Sequence, residues 1–92
     1  MQSAARRWAE LTWPEVRDSV TPDQGHAVGL VPVGATEQHG PHLPVGTDTL
    51  VAQAICDAAS VRTGALVLPA LPVGVSYGHG TVLPGTLSLS PE

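Results

Sequence analysis

The chain has 92 residues, enough for one small domain. It carries a formal charge of −4, with four Arg and no Lys, which argues against a nucleic-acid surface because phosphate binding needs a clustered basic patch. The single cysteine, Cys56, excludes an intrachain disulfide and fits a reducing compartment, and no stretch approaches the ~18 apolar residues of a membrane span.

The default expectation is therefore a soluble cytoplasmic protein, with no signal peptide at the N-terminus. Apolar residues make up 42% of the chain, yet Phe is absent, so Ala, Val and Leu must fill the core. Gly and Pro contribute 10 and 9 residues, which predicts many turns without making the chain low-complexity.

In chain order, Thr12 is a helix N-cap with Pro14 and Glu15 in the first turn, and a short helix is expected from about Trp13 to Val20. Thr21-Pro22-Asp23-Gln24-Gly25 reads as a turn. His26 to Val33 (HAVGLVPV) is a short Val-rich run, expected to be a buried strand whose pairing fades at Pro32. A polar loop follows, and Thr47 or Asp48 caps a second helix. In that helix Leu50, Val51, Ala54, Ile55 and Ala58 form one stripe, while Thr49, Gln53, Asp57 and Ser60 form the other. Gly64 ends it, and Ala65 to Leu68 is a second strand. Strand, helix and strand at this spacing predict a parallel βαβ unit. The remainder is punctuated by Gly and Pro, with a last alternating run Thr86-Leu87-Ser88-Leu89. Ser90-Pro91-Glu92 has the form of a helix start. We expect from this a chain that stops in mid-fold.

The loop TEQHGPHLPVGTD, residues 36 to 48, concentrates the chemistry. Glu37 and His39 are two apart, so on extended backbone their side chains share a side. Asp48 returns after a loop stiffened by Gly40, Pro41, Pro44 and Gly46. One imidazole and two carboxylates suit zinc, manganese or ferrous iron better than a thiolate-seeking metal. The alternative is a polar turn, with Asp48 a helix cap, Glu37 a solvated acid, and His39 and His42 ordinary loop histidines.

At this point PVGATEQHGPHLPVGTDTLVA, residues 32 to 52, closely resembles the metal-binding signature of the creatininase family of amide hydrolases. The opening ELTWPEV, residues 10 to 16, fits the same family, and the resemblance covers essentially all 92 residues as the front part of a longer family chain. It implies one creatininase-like domain, of which residues 1–92 are the N-terminal portion. The implied fold is α/β, a partial three-layer arrangement with a mostly parallel sheet. It also implies a two-metal centre, zinc or manganese with iron also admitted, in which Glu37 binds one ion, His39 the other, and Asp48 bridges them. His42 matches a motif position with no ligand role. Gly74 to His79 and Leu83 to Thr86 resemble the family's G-x-S-x-E-H…F-P-G-T segment near the substrate, which makes Ser76 and His79 candidate substrate contacts. Gly78 stands where that motif has glutamate, and the gap to Pro-Gly-Thr is one residue longer. The family's later H-G-x-x-N-like segment, with its further ligands, has no counterpart here.

The resemblance implies a metal-dependent amidohydrolase acting on a non-peptide or terminal amide C–N bond through a metal-activated water. The partner would be a small amide or a peptide, and the assembly a homo-oligomer. Family members act on creatinine, formylated pyrimidine intermediates and a mycofactocin precursor peptide. Two other readings stand beside it: a truncated, inactive family piece with exposed sheet surface and poor solubility, and a small interaction module.

Overall fold

The computed structural model describes residues 4–20, 27–78 and 83–90. It divides into two compact units, Met1–Val31 with Ile55–Pro69, and Pro32–Ala54 with Ala70–Glu92. The expected turn at residues 21–25, His26, His79 and the helix start at Pro91 and Glu92 lie outside the described residues.

The first unit is built on three very short parallel strands, β1 (Arg6–Arg7), β2 (Gly29–Leu30) and β3 (Leu66–Val67), in the order β1-β3-β2. Leu66 lies opposite both Arg6 and Gly29, and Val67 opposite Arg7 and Leu30. The Leu66 and Leu68 N–H groups donate to the Val28 and Leu30 carbonyls at 2.9 and 2.8 Å. Only β3 is flanked on both sides, so the apolar core sits there. Ala65, Leu66 and Val67 are the buried hydrophobics among the described residues. Of the run expected as a buried strand from His26 to Val33, the described residues 27–33 therefore do not form one. They pair as a strand only at Gly29–Leu30, on a sheet edge, and Val28 and Val31 are exposed.

α1 (Trp13–Val20) begins where the capping residues place it. The Glu15 carboxylate accepts from the Thr12 N–H at 2.9 Å and from its hydroxyl at 2.8 Å, satisfying a donor at the helix start. That contact favours the ionised acid and holds Glu15 below the usual carboxylate range. Arg17 lies over the exposed Trp13 ring, 5.3 Å from its centroid.

α2 (Thr47–Thr63) leads into β3, which makes β2-α2-β3 the expected parallel βαβ unit. It ends at Gly64, whose φ of +77° suits the left-handed turn that closes a helix. The two stripes of α2 are arranged against expectation. Leu50, Val51 and Ile55 are exposed, while Ser60 is buried. The reason is hydrogen bonding: the Ser60 hydroxyl accepts the Arg6 N–H at 2.8 Å and donates to the Ala65 carbonyl at 2.6 Å. One turn earlier Asp57 pairs with the Arg7 guanidinium. The polar stripe is thus the one that grips the neighbouring backbone.

In the second unit Val33 and Leu71 form an isolated parallel bridge. The Leu71 N–H donates to the Pro32 carbonyl and the Gly34 N–H to the Leu71 carbonyl, both at 2.9 Å. Pro32, whose carbonyl takes part in this bridge, is buried. Among the described residues, no helix is long and apolar enough to cross a membrane.

Candidate metal centre

The chain leaves β2 and enters the loop of residues 34–46, which backbone contacts hold in place. The Glu37 N–H donates to the Val45 carbonyl at 2.8 Å, folding the loop across itself. The Gln38 N–H donates to the Thr86 hydroxyl at 2.9 Å, and the Leu87 N–H donates to the Thr36 carbonyl at 2.9 Å. Gly40 turns the chain at φ +76°. At its far end the loop meets α2: the Thr47 N–H and hydroxyl both bond the Pro44 carbonyl, and the Leu50 N–H reaches the Gly46 carbonyl at 2.9 Å. Gly46, not Thr47 or Asp48, is therefore the capping position, because its carbonyl accepts the first helical bond. Asp48 falls in the first turn, where the helix dipole favours an anion.

Gly34 lets the loop start lie directly on the helix start. A Cβ there would sit 2.5 Å from Thr49 Cα. The Thr49 hydroxyl donates to the Ala35 carbonyl at 3.1 Å and fastens the same junction.

These constraints bring two of the candidate ligands together. His39 Nε2 lies 3.1 Å from Asp48 Oδ1. His39 Nδ1 lies 2.9 Å from the Glu37 carbonyl. With both ring nitrogens facing acceptors, the protonated imidazole is favoured, chiefly by the Glu37 carbonyl and then by Asp48, which raises the His39 pKa. The two side chains retain 23% and 43% of their exposure, so the pair is open to solutes. Glu37 is half-buried, and its described role in the pair is through its main-chain carbonyl. Among the described residues no three His, Cys, Asp or Glu side chains are grouped to hold one ion. His42 is exposed, and its ring lies close enough to Gly40 that a Cβ there would sit 3.0 Å from its Cε1. Ser76 is half-buried, and its N–H donates to the Ser88 hydroxyl at 2.8 Å.

The imidazole of His39 and the carboxylate of Asp48 are ligand types that zinc and manganese take, and among the described residues these two side chains meet. In a neutral His39 the Glu37 carbonyl would hold Nδ1–H, and Nε2, the nitrogen that faces the Asp48 carboxylate, would carry the lone pair a cation needs in place of the proton shared in this pair. The Thr86 hydroxyl, which pins Gln38, was not legible as a support residue. Its signal was the turn Pro84-Gly85-Thr86.

The creatininase family profile, described as creatinine amidohydrolase, matches residues 9–92. The chain belongs to the creatininase family. Creatinine amidohydrolase of Pseudomonas putida is 43% identical over 84 residues, covering 87% of this chain and 32% of the relative. The mycofactocin precursor peptide peptidase of Mycolicibacterium smegmatis is 39% identical, covering 97% of this chain and 40% of the relative. The chain thus spans about a third of the length of the creatininase-family relatives it matches. A crystal structure of creatininase superposes with a TM-score of 0.84 at 41% identity, covering 96% of this chain and 35% of that one. A zinc–zinc form and a manganese form of creatininase give TM-scores of 0.83 and 0.84, both at 40% identity, and cover 96% and 94% of this chain, with 35% and 34% of theirs. The α/β fold with its parallel sheet is that of the creatininases.

Proposed function

We propose that Glu37, His39 and Asp48 form one side of a two-cation centre in a metal-dependent amidohydrolase that cleaves a non-peptide or terminal amide C–N bond. The observation that carries this reading is the approach of His39 Nε2 to Asp48 Oδ1 at 3.1 Å on a solvent-accessible loop. Zinc or manganese fits an imidazole–carboxylate set, as does ferrous iron. When bound, such ions supply Lewis acidity, giving an activated water near neutral pH and a polarised carbonyl. The chain's own residues do the holding. The Glu37 carbonyl sets the His39 tautomer, and the first turn of α2 presents Asp48. The Thr86 hydroxyl and the Val45 carbonyl keep the Glu37–His39 segment in register. Ser76 and His79 are assigned to the substrate side. Amidohydrolase and peptidase, the activities named for the relatives, both cleave C–N bonds, which supports that bond class.

Metal content tests the reading. After purification without chelators, wild-type chain is expected to carry zinc or manganese, and Asp48→Ala to carry none. A wild-type chain that stays empty when titrated with either ion sinks the proposal.

A further inference from the structure

Backbone pairing stops short of the candidate centre. Val33 and Leu71 are bridged, and the last backbone bond of that bridge runs from the Gly34 N–H to the Leu71 carbonyl at 2.9 Å. The next residue of the partner stretch, Pro72, has no N–H and brings only a carbonyl. Thr36 reaches that carbonyl with its side chain: its hydroxyl donates to it at 2.7 Å. Thr36 is half-buried, and its own carbonyl accepts the Leu87 N–H at 2.9 Å. One residue thereby joins its own stretch to those at Leu71–Pro72 and Thr86–Leu87. The neighbouring bonds lead elsewhere, from the Glu37 N–H to the Val45 carbonyl and from the Gln38 N–H to the Thr86 hydroxyl. The Thr36 hydroxyl is the one that leads back to the stretch bridged to Val33, where the chain comes from β2.

We propose that Thr36 is a positioning residue for the Glu37–His39 segment, acting through its hydroxyl. Glu37 follows Thr36 directly. Its carbonyl meets His39 Nδ1 at 2.9 Å, while His39 Nε2 faces Asp48 Oδ1 at 3.1 Å. Peptide units are rigid planes with two soft torsions per residue, so a displacement of Thr36 is passed on to the Glu37 carbonyl one residue later. With that carbonyl displaced, the imidazole loses the contact that orients it toward Asp48. Threonine suits the task, because branching at Cβ restricts its first torsion and holds the hydroxyl toward its acceptor. Valine keeps the shape and lacks the donor; serine keeps the donor and lacks the branch. The consequence for cation binding rests on the two-cation reading above, whereas the positioning of the segment does not.

The test compares Thr36→Val and Thr36→Ser with wild type in the full chain. In EDTA, amide hydrogen exchange is followed at Glu37 and Leu87, beside Thr36, and at Leu66 and Leu68, whose N–H groups pair within the sheet and report its unfolding. Thr36→Val should speed exchange at Glu37 and Leu87 by roughly five- to tenfold, the scale of one lost bond, and leave Leu66 and Leu68 unchanged. Thr36→Ser should stay close to wild type. With zinc or manganese, competition with a chromophoric chelator should give Thr36→Val a Kd raised on the order of 10- to 100-fold, and Thr36→Ser a Kd near that of wild type. Wild-type exchange in Thr36→Val, equal acceleration at Leu66 and Leu68, or Thr36→Ser behaving as Thr36→Val each overturns the proposal. So does an unchanged Kd in Thr36→Val. A wild type that binds neither ion overturns the reading of the centre instead, and exchange at Glu37 and Leu87 then decides the role of Thr36 by itself.

Discussion

Replacing Gly34 by alanine tests how the candidate centre is held. The new Cβ would lie 2.3 Å from Thr49 Oγ1, 2.5 Å from Thr49 Cα and 2.7 Å from Thr49 N. Ordinary contact begins near 3.4 Å, so the loop and the helix start must separate by about 0.9 Å. Two of the three clashing atoms are backbone and cannot rotate away. Overpacking of this kind costs about 1–3 kcal/mol, and rigid neighbours place it toward the upper end. If Asp48 moves with Thr49, the His39–Asp48 distance of 3.1 Å opens to roughly 4 Å, beyond hydrogen-bond reach. Metal affinity should then fall on the order of 10- to 100-fold, the scale of losing a supporting contact. Gly74→Ala is the matched control, because nothing lies within 4 Å of its Cβ and it keeps an ordinary φ. It should change stability by less than about 0.5 kcal/mol. Urea unfolding followed by circular dichroism reads the stability, and competition with a chromophoric chelator reads the affinity. Equal stability of the two variants would refute the close approach of Gly34 to Thr49.

Three further outcomes are expected. Ser60→Ala strands the Arg6 N–H and the Ala65 carbonyl, costing about 2 kcal/mol, or roughly 10 °C in Tm; a thermal melt unchanged within 2 or 3 °C, on the same scale, contradicts that role. The Glu15 carboxyl should titrate below 4.5 by NMR and return toward it in Thr12→Ala, which keeps the backbone donor but loses the hydroxyl. Because its folded value is depressed, its stabilisation is present above the unfolded pKa and lost as pH falls through the lower folded one, so the acid limb of the wild-type stability curve should be steeper than that of Glu15→Gln. Gly85→Ala should cost ~1–2 kcal/mol through its φ of +90°. A second change, Val45→Ala, relieves only the 2.9 Å contact with Val45 Cγ1, and full rescue by it would place the whole cost in sterics.

Local signals in the sequence carried the helices well. Thr12, Pro14 and Glu15 place the start of α1, and Gly64 places the end of α2, because capping needs are satisfied within a few residues. The parallel βαβ unit followed from spacing alone. The strands were less legible. β1 is formed by two adjacent arginines, Arg6 and Arg7, which look like surface charge until Asp57 and the Ser60 hydroxyl supply their partners. β2 shrank to two residues because burial depends on neighbours on both sides, which a single segment does not encode. Of the candidate centre, the juxtaposition of His39 and Asp48 could be foreseen from the proline-stiffened return. The pinning of Gln38 by Thr86, 48 residues away, could not.

Polar contacts, rather than apolar burial, order the region that carries the site. The second unit buries Pro32 but none of the large aliphatic side chains described in it: Val33, Leu43, Val45, Leu50, Val51, Leu71, Val75, Leu87 and Leu89 all stay exposed or partly so. Its loop is nonetheless fixed at Thr36, Glu37, Gln38, Thr47 and Thr49, which donate hydrogen bonds to backbone carbonyls or a hydroxyl. A single such bond contributes about 1 kcal/mol net in water, and more where water is excluded. Losing one of these bonds therefore loosens the loop directly, because little apolar packing in the unit can take over its role. Hydrogen exchange at the Gln38 amide should therefore speed up in Thr86→Ala, and unchanged exchange there would break the link between this bond and the order of the loop.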